Sequence, residues 1–128
     1  GSRLEGLTKY YAVSIIVSED TKMLAPDFAY RELDRVRVKG REKPLAIYEA
    51  IGLNDELDEH VRANLQQYQA ALTAYRNQDW PQAEDLFTSL SAAQPLCRLY
   101  AIYMERIACF KDNPPAADWD GVFRFEQK

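Results

Sequence analysis

The sequence predicts an α+β fold in two unlike parts, and three observations support that prediction. Residues 1–52 contain two β-type runs, 30–38 and 45–51, joined by a turn with glycine and proline. From residue 61 onward, apolar residues recur at the three- and four-residue spacing of helices. The composition, 47% hydrophobic and 28% charged, is that of a globular protein with enough apolar material for one core or two small ones.

The first predicted elements are a helix over residues 3–11 and a strand over residues 13–17. The apolar face of the helix is formed by Leu4, Leu7 and Tyr11. In the strand, apolar and polar side chains alternate except at Ile16, which indicates burial on both faces. We therefore expect a helix that leads directly into a buried strand.

A short helix and a β-hairpin follow. Ser18 caps the stretch SEDTKMLA, which has acidic residues at its positive end and stops before Pro26. Strands over 30–38 and 45–51 then flank the loop KGREKP. An opening helix, a short second helix and only three strands leave much apolar surface uncovered, so residues 1–52 are expected to be the C-terminal portion of a larger α+β fold.

An acidic linker over residues 53–60 leads into an all-α tail over residues 61–128. The first apolar stripe is formed by Leu65, Tyr68, Leu72 and Tyr75, and the second by Ala83, Phe87 and Leu90. Pro81 suits the first turn of the second helix, and a third helix is expected from residue 95 or 96 to residue 110. The residues expected to dock onto the helices are Trp119, Val122, Phe123 and Phe125.

Charge divides the chain and argues against one class of function. Residues 1–50 carry a balance of +1 and residues 51–128 a balance of −5, which gives the net charge of −4. Because binding nucleic acid requires a basic surface, an acidic chain is a poor candidate for it. Six basic residues still gather within thirteen positions, and most are expected to form the solvated face of a strand. They are Arg31, Arg35, Arg37, Lys39, Arg41 and Lys43.

The sequence predicts no metal site, no disulfide and no membrane span. His60 is the only histidine and has no cysteine near it. Cys97 and Cys109 fall in one expected helix, about 18 Å apart, which is too far for a disulfide and suits a cytoplasmic setting. No stretch approaches the roughly 18 apolar residues of a membrane span, although a parent protein could be anchored through a region outside this chain.

Part of the helical tail resembles a tetratricopeptide repeat. With Ala83 and Phe87 at the small and aromatic positions of the second repeat helix, Pro95 falls where a repeat usually ends. The tight-packing sites of the first helix are then occupied by Ala70, Ala71 and Ala74. A plain helical hairpin that packs on a neighbouring domain would show the same pattern, so both interpretations stay open.

Two blocks in the first part carry a second resemblance: SRLEGLTKYYAVSIIVSEDT at residues 2–21 and YRELDRVRVKGREKPLAIYEAIG at residues 30–52. In order and spacing they resemble the closing part of the catalytic domain of class III nucleotidyl cyclases, most similar to bacterial adenylate cyclases. That family shows LEGL after an arginine, IIVSE in a strand, and VKG and YE in a final hairpin. The resemblance implies that residues 1–52 are the C-terminal portion of a ferredoxin-like cyclase catalytic domain.

The resemblance assigns roles to two residues. Arg3 matches the arginine that contacts the triphosphate while the ribose 3′ oxygen attacks the α-phosphorus. Lys39, in VKG, matches the lysine that reaches the terminal phosphates. Taken alone, an arginine in a first helical turn or a lysine beside a hairpin glycine is usually a solvated surface residue. The preceding Gly1 and Ser2 fit a cloning remnant and the small residues of the family equally well.

The resemblance also implies the activity of the parent protein. It would convert ATP, or alternatively GTP, to the 3′,5′-cyclic nucleotide and pyrophosphate for intracellular signalling. The site would form between two subunits of a homodimer, with metal-binding aspartates from one and the arginine from the other. The aspartates for Mg²⁺ or Mn²⁺ would precede Gly1, so this chain alone is expected to bind no metal and to be inactive.

A rival interpretation belongs to another class of function. The chain would be a non-catalytic interaction module, a helical repeat with a small sheet as its cap. The tail would then bind a protein partner in a groove. The two interpretations differ in whether Arg3 is required for cyclic nucleotide production.

Overall fold

The structure, a computed structural model, describes residues 8–13, 15–37 and 44–124. It divides the chain into two compact units. The sheet unit comprises Gly1–Leu57 and Val122–Lys128, and the helical unit comprises Asp58–Gly121. The α+β class expected from the sequence is confirmed, because the described residues form both a sheet and helices.

The sheet unit is built from short helices and one mixed sheet. Its described strands are β1 (Val17–Ser18), β2 (Phe28–Arg37), β3 (Leu45–Leu53) and β4 (Phe123–Arg124). Its helices are α1, described over residues 8–11, and α2 (Glu19–Leu24), and Asn54–Glu56 form a 3₁₀ helix. The strand order is β1-β3-β2-β4, in which β3 is antiparallel to β1 and β2 whereas β4 is parallel to β2.

Helix α1 ends at residue 11, as predicted, but the strand after it is shorter than the predicted 13–17. Strand pairing in this region is limited to Val17–Ser18 among the described residues. The N–H groups of Ala12 and Val13 donate to the carbonyls of Lys9 and Thr8 at 3.3 and 3.0 Å, and Ala12 has a φ of 57°. Because a left-handed residue with such bonds closes a helix, residues 12–13 belong to the end of α1.

Helix α2 forms where its capping signal predicts it. Ser18 is extended, and its Oγ accepts the Thr21 N–H at 3.3 Å. Two acidic side chains occupy the first turn, and the helix ends at Leu24, before Pro26. None of its residues is buried, so the cap and the flanking strands define this helix more than packing does.

Strands β2 and β3 form the predicted hairpin. β2 begins two residues before the predicted start and β3 ends two residues after the predicted end. The register shifts between Glu32 and Asp34, so Leu33 is the extra residue of a bulge. The fully buried aliphatic side chains of this hairpin are Leu33, Val36 and Ile47. Residues 38–43, which include all of the predicted loop except Pro44 and the last predicted residue of the second strand, lie outside the described residues.

The helical unit consists of α3 (Glu59–Arg76), α4 (Trp80–Ala93) and α5 (Arg98–Asp112). Asp58 caps α3 by accepting the His60 N–H at 2.8 Å, and Pro81 lies in the first turn of α4, as predicted. α5 begins two or three residues later than expected. A turn comes first, in which the Cys97 N–H donates to the Gln94 carbonyl at 3.1 Å.

The two predicted apolar stripes form the core of the helical unit. The buried members are Tyr68, Leu72, Tyr75, Ala83, Phe87 and Leu90, and Leu65 is half-buried. α5 adds Tyr100 and Tyr103, and the Phe87 and Tyr103 rings stack with centroids 5.0 Å apart. Of the alanines assigned to tight packing on the first helix, Ala71 and Ala74 are buried but Ala70 is exposed, so the assignment of Ala70 is wrong.

The end of the described chain differs from the expectation that it docks entirely onto the helices. Trp119 does pack on the helical unit, but Phe123 lies in β4 beside Val36 of β2. Val122 also belongs to the sheet unit. Sequence patterning missed this because a two-residue strand has no periodicity to detect. Phe125 lies outside the described residues.

Candidate phosphate-binding site

The two predicted site residues, Arg3 and Lys39, both lie outside the described residues. The structure does describe the elements that lie next to Arg3 and Lys39 in the sequence. The helix predicted over 3–11 is described from residue 8 as α1, and Lys39 comes two residues after the end of β2 at Arg37. The elements that would position these side chains are therefore α1 and β2.

A buried hydrogen bond joins α1 to β2. Tyr11, in the last turn of α1, donates its hydroxyl to Asp34 Oδ2 at 2.5 Å, and both residues are 1% exposed. Asp34 Oδ1 accepts the backbone N–H of Arg35 at 2.8 Å. Hydrogen bonds to carboxylates are short and about twice as strong as neutral ones, so this contact fixes the end of α1 on the middle of β2.

Strand β3 pairs with β2 in the sheet. Asp34 lies opposite Ile47, and Val36 lies opposite Leu45 at the loop end of the hairpin. Because cross-strand neighbours share one face of a sheet, the Asp34 carboxyl lies on the same face as the buried Ile47. The hydrogen bond from Tyr11 thus reaches the core side of the hairpin, and α1 packs on that face.

The basic residues of β2 are not a uniformly solvated face. Arg31 Nη2 forms an ion pair with Glu49 Oε1 at 2.6 Å, and the side chains are only 12% and 23% exposed. The register places these two residues opposite each other, which explains the contact. Arg35 and Arg37 are half-buried. The expectation of a solvated strand face is therefore wrong for Arg31, whose charge is committed to Glu49.

Sequence reasoning assigned Tyr11 to an apolar face and gave Asp34 no role. The sequence offered little signal, because Asp34 lies in a stretch where most residues are charged and nothing local marks it as buried. The identity of its partner was not readable. Tyr11 is 23 residues away in the sequence, and only the fold brings the two together.

A separate apolar surface surrounds α2. Met23 and Leu24 are 72% and 84% exposed, and a shallow depression of about 250 Å³ lies between α2 and the start of β2. Lys22 Nζ is 4.6 Å from the centroid of the Tyr48 ring, within the range of a cation–π contact. The described residues that line this depression are Lys22, Met23, Pro26, Phe28 and Tyr30.

The described residues provide neither a metal-binding cluster nor a membrane-spanning helix. They contain no cluster of three or more histidine, cysteine, aspartate or glutamate side chains placed to hold a metal ion. Among the helices of the described part, none has both the length and the apolar character needed to cross a bilayer. Comparisons with protein-family models, with characterised proteins and with solved structures found no match.

Proposed function

We propose that this chain carries the closing part of an adenylate cyclase catalytic domain, in which Arg3 and Lys39 bind the triphosphate of ATP. The proposal begins from the two sequence blocks that resemble class III cyclases. The structural observation that supports the proposal is the hydrogen bond from Tyr11 to Asp34. Tyr11 lies in the first resembling block and Asp34 in the second. The bond therefore attaches α1, the helix on which Arg3 is expected, to β2, the strand that precedes Lys39 in the sequence.

The two residue types suit the two charges of the reaction. The ribose 3′ oxygen forms a bond to the α-phosphorus, the bond from that phosphorus to the bridging oxygen breaks, and pyrophosphate leaves. Arg3 presents a planar fork of N–H donors to the phosphoryl oxygens on which charge develops. Lys39 places a mobile ammonium at the terminal phosphates, which carry the charge of the leaving group.

The resemblance assigns the metal ions to another part of the enzyme. Mg²⁺ or Mn²⁺ would be held by aspartates that are not in this chain, and the described residues offer no carboxylate cluster that fits such ions. The role proposed here is confined to binding and orienting phosphate. The arginine would act on nucleotide held by the partner subunit, which makes a homodimer part of the mechanism. A cytoplasmic location follows from the proposed signalling role.

Tyr11 and Asp34 act as positioning residues in this proposal. Misplacing a catalytic group by about 1 Å can reduce rates by about a hundredfold, so the end of a helix that carries such a group must be held firmly. Arg3 is expected eight residues before Tyr11 on the same helix, or about 12 Å along its axis. A helix anchored at one buried end transmits that orientation to its other end.

The experiment replaces Arg3 in the protein that contains the complete catalytic domain. We expect Arg3→Ala to lower kcat at least a hundredfold, because a donor aimed at transition-state charge is lost, while metal binding is unchanged. Lys39→Ala is expected to raise KM for ATP. The control is Arg98→Ala, which removes an exposed arginine of the helical unit. Unchanged cyclic AMP production by Arg3→Ala would overturn the proposal.

A second candidate, a non-catalytic interaction module, is favoured by the packing of the helical unit. Ala83 and Phe87, the residues assigned to the small and aromatic positions of a tetratricopeptide repeat, are both fully buried. Under this alternative the helical unit binds a protein partner and Arg3 has no catalytic role. Absence of cyclase activity from the unsubstituted parent protein would favour it, and a loss of activity specific to Arg3→Ala would count against it.

A further inference from the structure

The α2 surface, as we name it, comprises Met23 and Leu24 of α2, Phe28 of β2 and Leu53 at the end of β3. These side chains are 72%, 84%, 40% and 38% exposed. Phe28 and Leu53 are partners in the β2–β3 register, so they lie on one face of the sheet. Phe28 also lines the depression beside α2, together with Met23 and Pro26. Of the six large hydrophobic side chains that are exposed in the described part of the chain, four therefore gather at this surface.

The α2 surface lies on the face of the sheet opposite the one on which α1 packs. The Tyr30 ring lies 6.5 Å from the Phe28 ring and 6.4 Å from the Tyr48 ring, measured between centroids. Tyr48 directly follows the buried Ile47 in β3, and successive side chains of a strand point to opposite faces. Because α1 packs on the Ile47 face, it does not cover the three rings or the apolar side chains beside them.

The depression contains one positive charge, and aromatic rings hold it. Lys22 Nζ lies 4.6 Å from the centroid of the Tyr48 ring and 6.0 Å from that of the Tyr30 ring. The ring faces attract the ammonium, and the aliphatic stem of the lysine covers apolar surface. Among the residues that line the depression, Lys22 is the only charged one.

Two carboxylates of α2 flank its exposed apolar side chains. Glu19 and Asp20 precede Met23 by four and three residues. Because residues three and four apart share one side of a helix, both carboxylates lie on the same side of α2 as Met23. Both are exposed.

Three more carboxylates lie near Phe28. Asp27 precedes Phe28, and its carbonyl accepts the backbone N–H of Asn54 at 2.8 Å. Asn54 Nδ2 also donates to the Phe28 carbonyl at 3.4 Å. These hydrogen bonds place Asp55 and Glu56, which follow in the 3₁₀ helix, next to the start of β2. Five exposed carboxylates therefore surround an apolar surface whose depression contains a single lysine.

We propose that the α2 surface binds a protein segment that carries large apolar side chains between lysine or arginine residues. The apolar side chains would fill the depression and contact Met23 and Phe28, and the basic ones would face the surrounding carboxylates. Methionine suits this role because its unbranched, polarizable side chain adapts to a partner. A second copy of this chain fits less well, since a symmetric contact would bring like charges together. The inference does not depend on Arg3 or Lys39.

A binding titration with a designed peptide tests this proposal. The probe is a fluorescently labelled amphipathic peptide of leucine and lysine, and anisotropy follows its binding to the 128-residue chain. We expect Met23→Gln and Leu24→Gln each to weaken binding about tenfold, because each removes apolar contact area. Asp27→Asn is expected to weaken it about threefold, and added salt should weaken binding to the unsubstituted chain.

The matched controls make the same kinds of change at exposed positions of the helical unit. Leu96→Gln alters a side chain that is 97% exposed, and Asp85→Asn removes one exposed charge. Both variants should bind the peptide as the unsubstituted chain does. A peptide of leucine and glutamate in the same order should bind at least about tenfold more weakly, because its charges would face carboxylates.

Three results would overturn the proposal. Equal binding of the leucine–glutamate peptide, or an equal loss in Leu96→Gln, would indicate unspecific apolar contact. A dimer of the chain that is lost in Met23→Gln would make a second copy the occupant. Binding by this chain but not by the protein with the complete catalytic domain would mean that the surface is covered there.

The α2 surface and the proposed function can fail separately. In the complete enzyme, Met23→Gln should lose affinity for the leucine–lysine peptide and keep its cyclic AMP production. Arg3→Ala should keep the affinity and lose the production. Peptide binding that depends on Met23 in an enzyme whose activity does not need Arg3 would retain the α2 surface and reject the phosphate site.

Discussion

The helical unit and the sheet unit are stabilised by different kinds of contact. In the helical unit, five buried aromatic rings pack against one another, namely Tyr68, Tyr75, Phe87, Tyr100 and Tyr103. In the described part of the sheet unit, the core contains smaller aliphatic side chains and a buried hydrogen bond from Tyr11 to Asp34. Ring packing is distributed over many contacts, whereas the sheet unit depends more on individual polar ones.

This difference bears on where precise chemistry can be placed. A directional hydrogen bond to a carboxylate fixes an orientation, while apolar packing mainly fixes proximity. Arg3 and Lys39, the residues proposed to bind phosphate, belong to the sheet unit, which contains the directional contact.

The largest expected effect is the loss of a central ring of the helical unit. Phe87→Ala removes a fully buried side chain that stacks on Tyr103, so we expect the free energy of unfolding of this unit to fall by about 3–5 kcal/mol. Urea titration followed by the far-ultraviolet signal of the helices measures it. Leu96→Ala, at an exposed position, should change stability by less than about 0.5 kcal/mol.

The contrast between the two units would be wrong if Phe87→Ala also accelerated hydrogen exchange in the paired strands β2 and β3. The two units are expected to respond separately, so amides of residues 30–33 should keep their protection. Loss of that protection would mean that the sheet depends on the same core as the helices. Distributed ring packing would then not be a property of the helical unit alone.

A smaller effect is expected for the bond between α1 and β2. Asp34→Ala leaves the buried Tyr11 hydroxyl without this acceptor, and Tyr11→Phe leaves the carboxyl without this donor. Each is expected to cost about 2–3 kcal/mol. Because both substitutions remove one contact, the double variant Tyr11→Phe/Asp34→Ala should cost less than the sum of the two. Strict additivity in denaturant titrations would show that the two side chains do not stabilise each other.

The smallest effect is expected at the cap of α2. The Ser18 Oγ accepts the Thr21 N–H at 3.3 Å, a long hydrogen bond, and α2 buries none of its residues. Ser18→Ala is therefore expected to cost about 0.5 kcal/mol, at the low end for such caps. Amide exchange within α2 measures the effect, and Ser18→Asp, which keeps an acceptor, serves as the control. A loss above about 2 kcal/mol would show that α2 contributes more to the sheet unit than its exposure indicates.

The same contrast explains what the sequence could predict. The existence and order of α3, α4 and α5 were predicted, and α3 and α5 begin within two or three residues of their expected starts. The apolar stripes, such as Tyr68–Leu72–Tyr75, and the prolines at 81 and 95 are local signals. The cap at Ser18 is local as well. The β4 strand and the Tyr11–Asp34 bond are not, since each joins parts of the chain separated by 23 residues or far more.

The residues proposed to act on phosphate came from a resemblance in sequence, not from periodicity. Nothing in an isolated arginine distinguishes Arg3 from Arg98, because each is a single charge near the start of a helix predicted from the sequence. The ordered pair of blocks makes the distinction. Likewise, the register that commits Arg31 to Glu49 follows from the bulge at Leu33, whose position the alternation pattern does not specify.

Mixing two inactive forms of the complete enzyme tests the proposed role of Arg3 most directly. One carries Arg3→Ala, and the other lacks the metal-binding aspartates of its catalytic domain. In the proposed mechanism the site takes the metal ions from one subunit and Arg3 from the other, so each mixed dimer would regain one intact site. An equal mixture should then recover about a quarter of full cyclic AMP production. Activity no greater than the sum of the two separate forms would contradict the role assigned to Arg3.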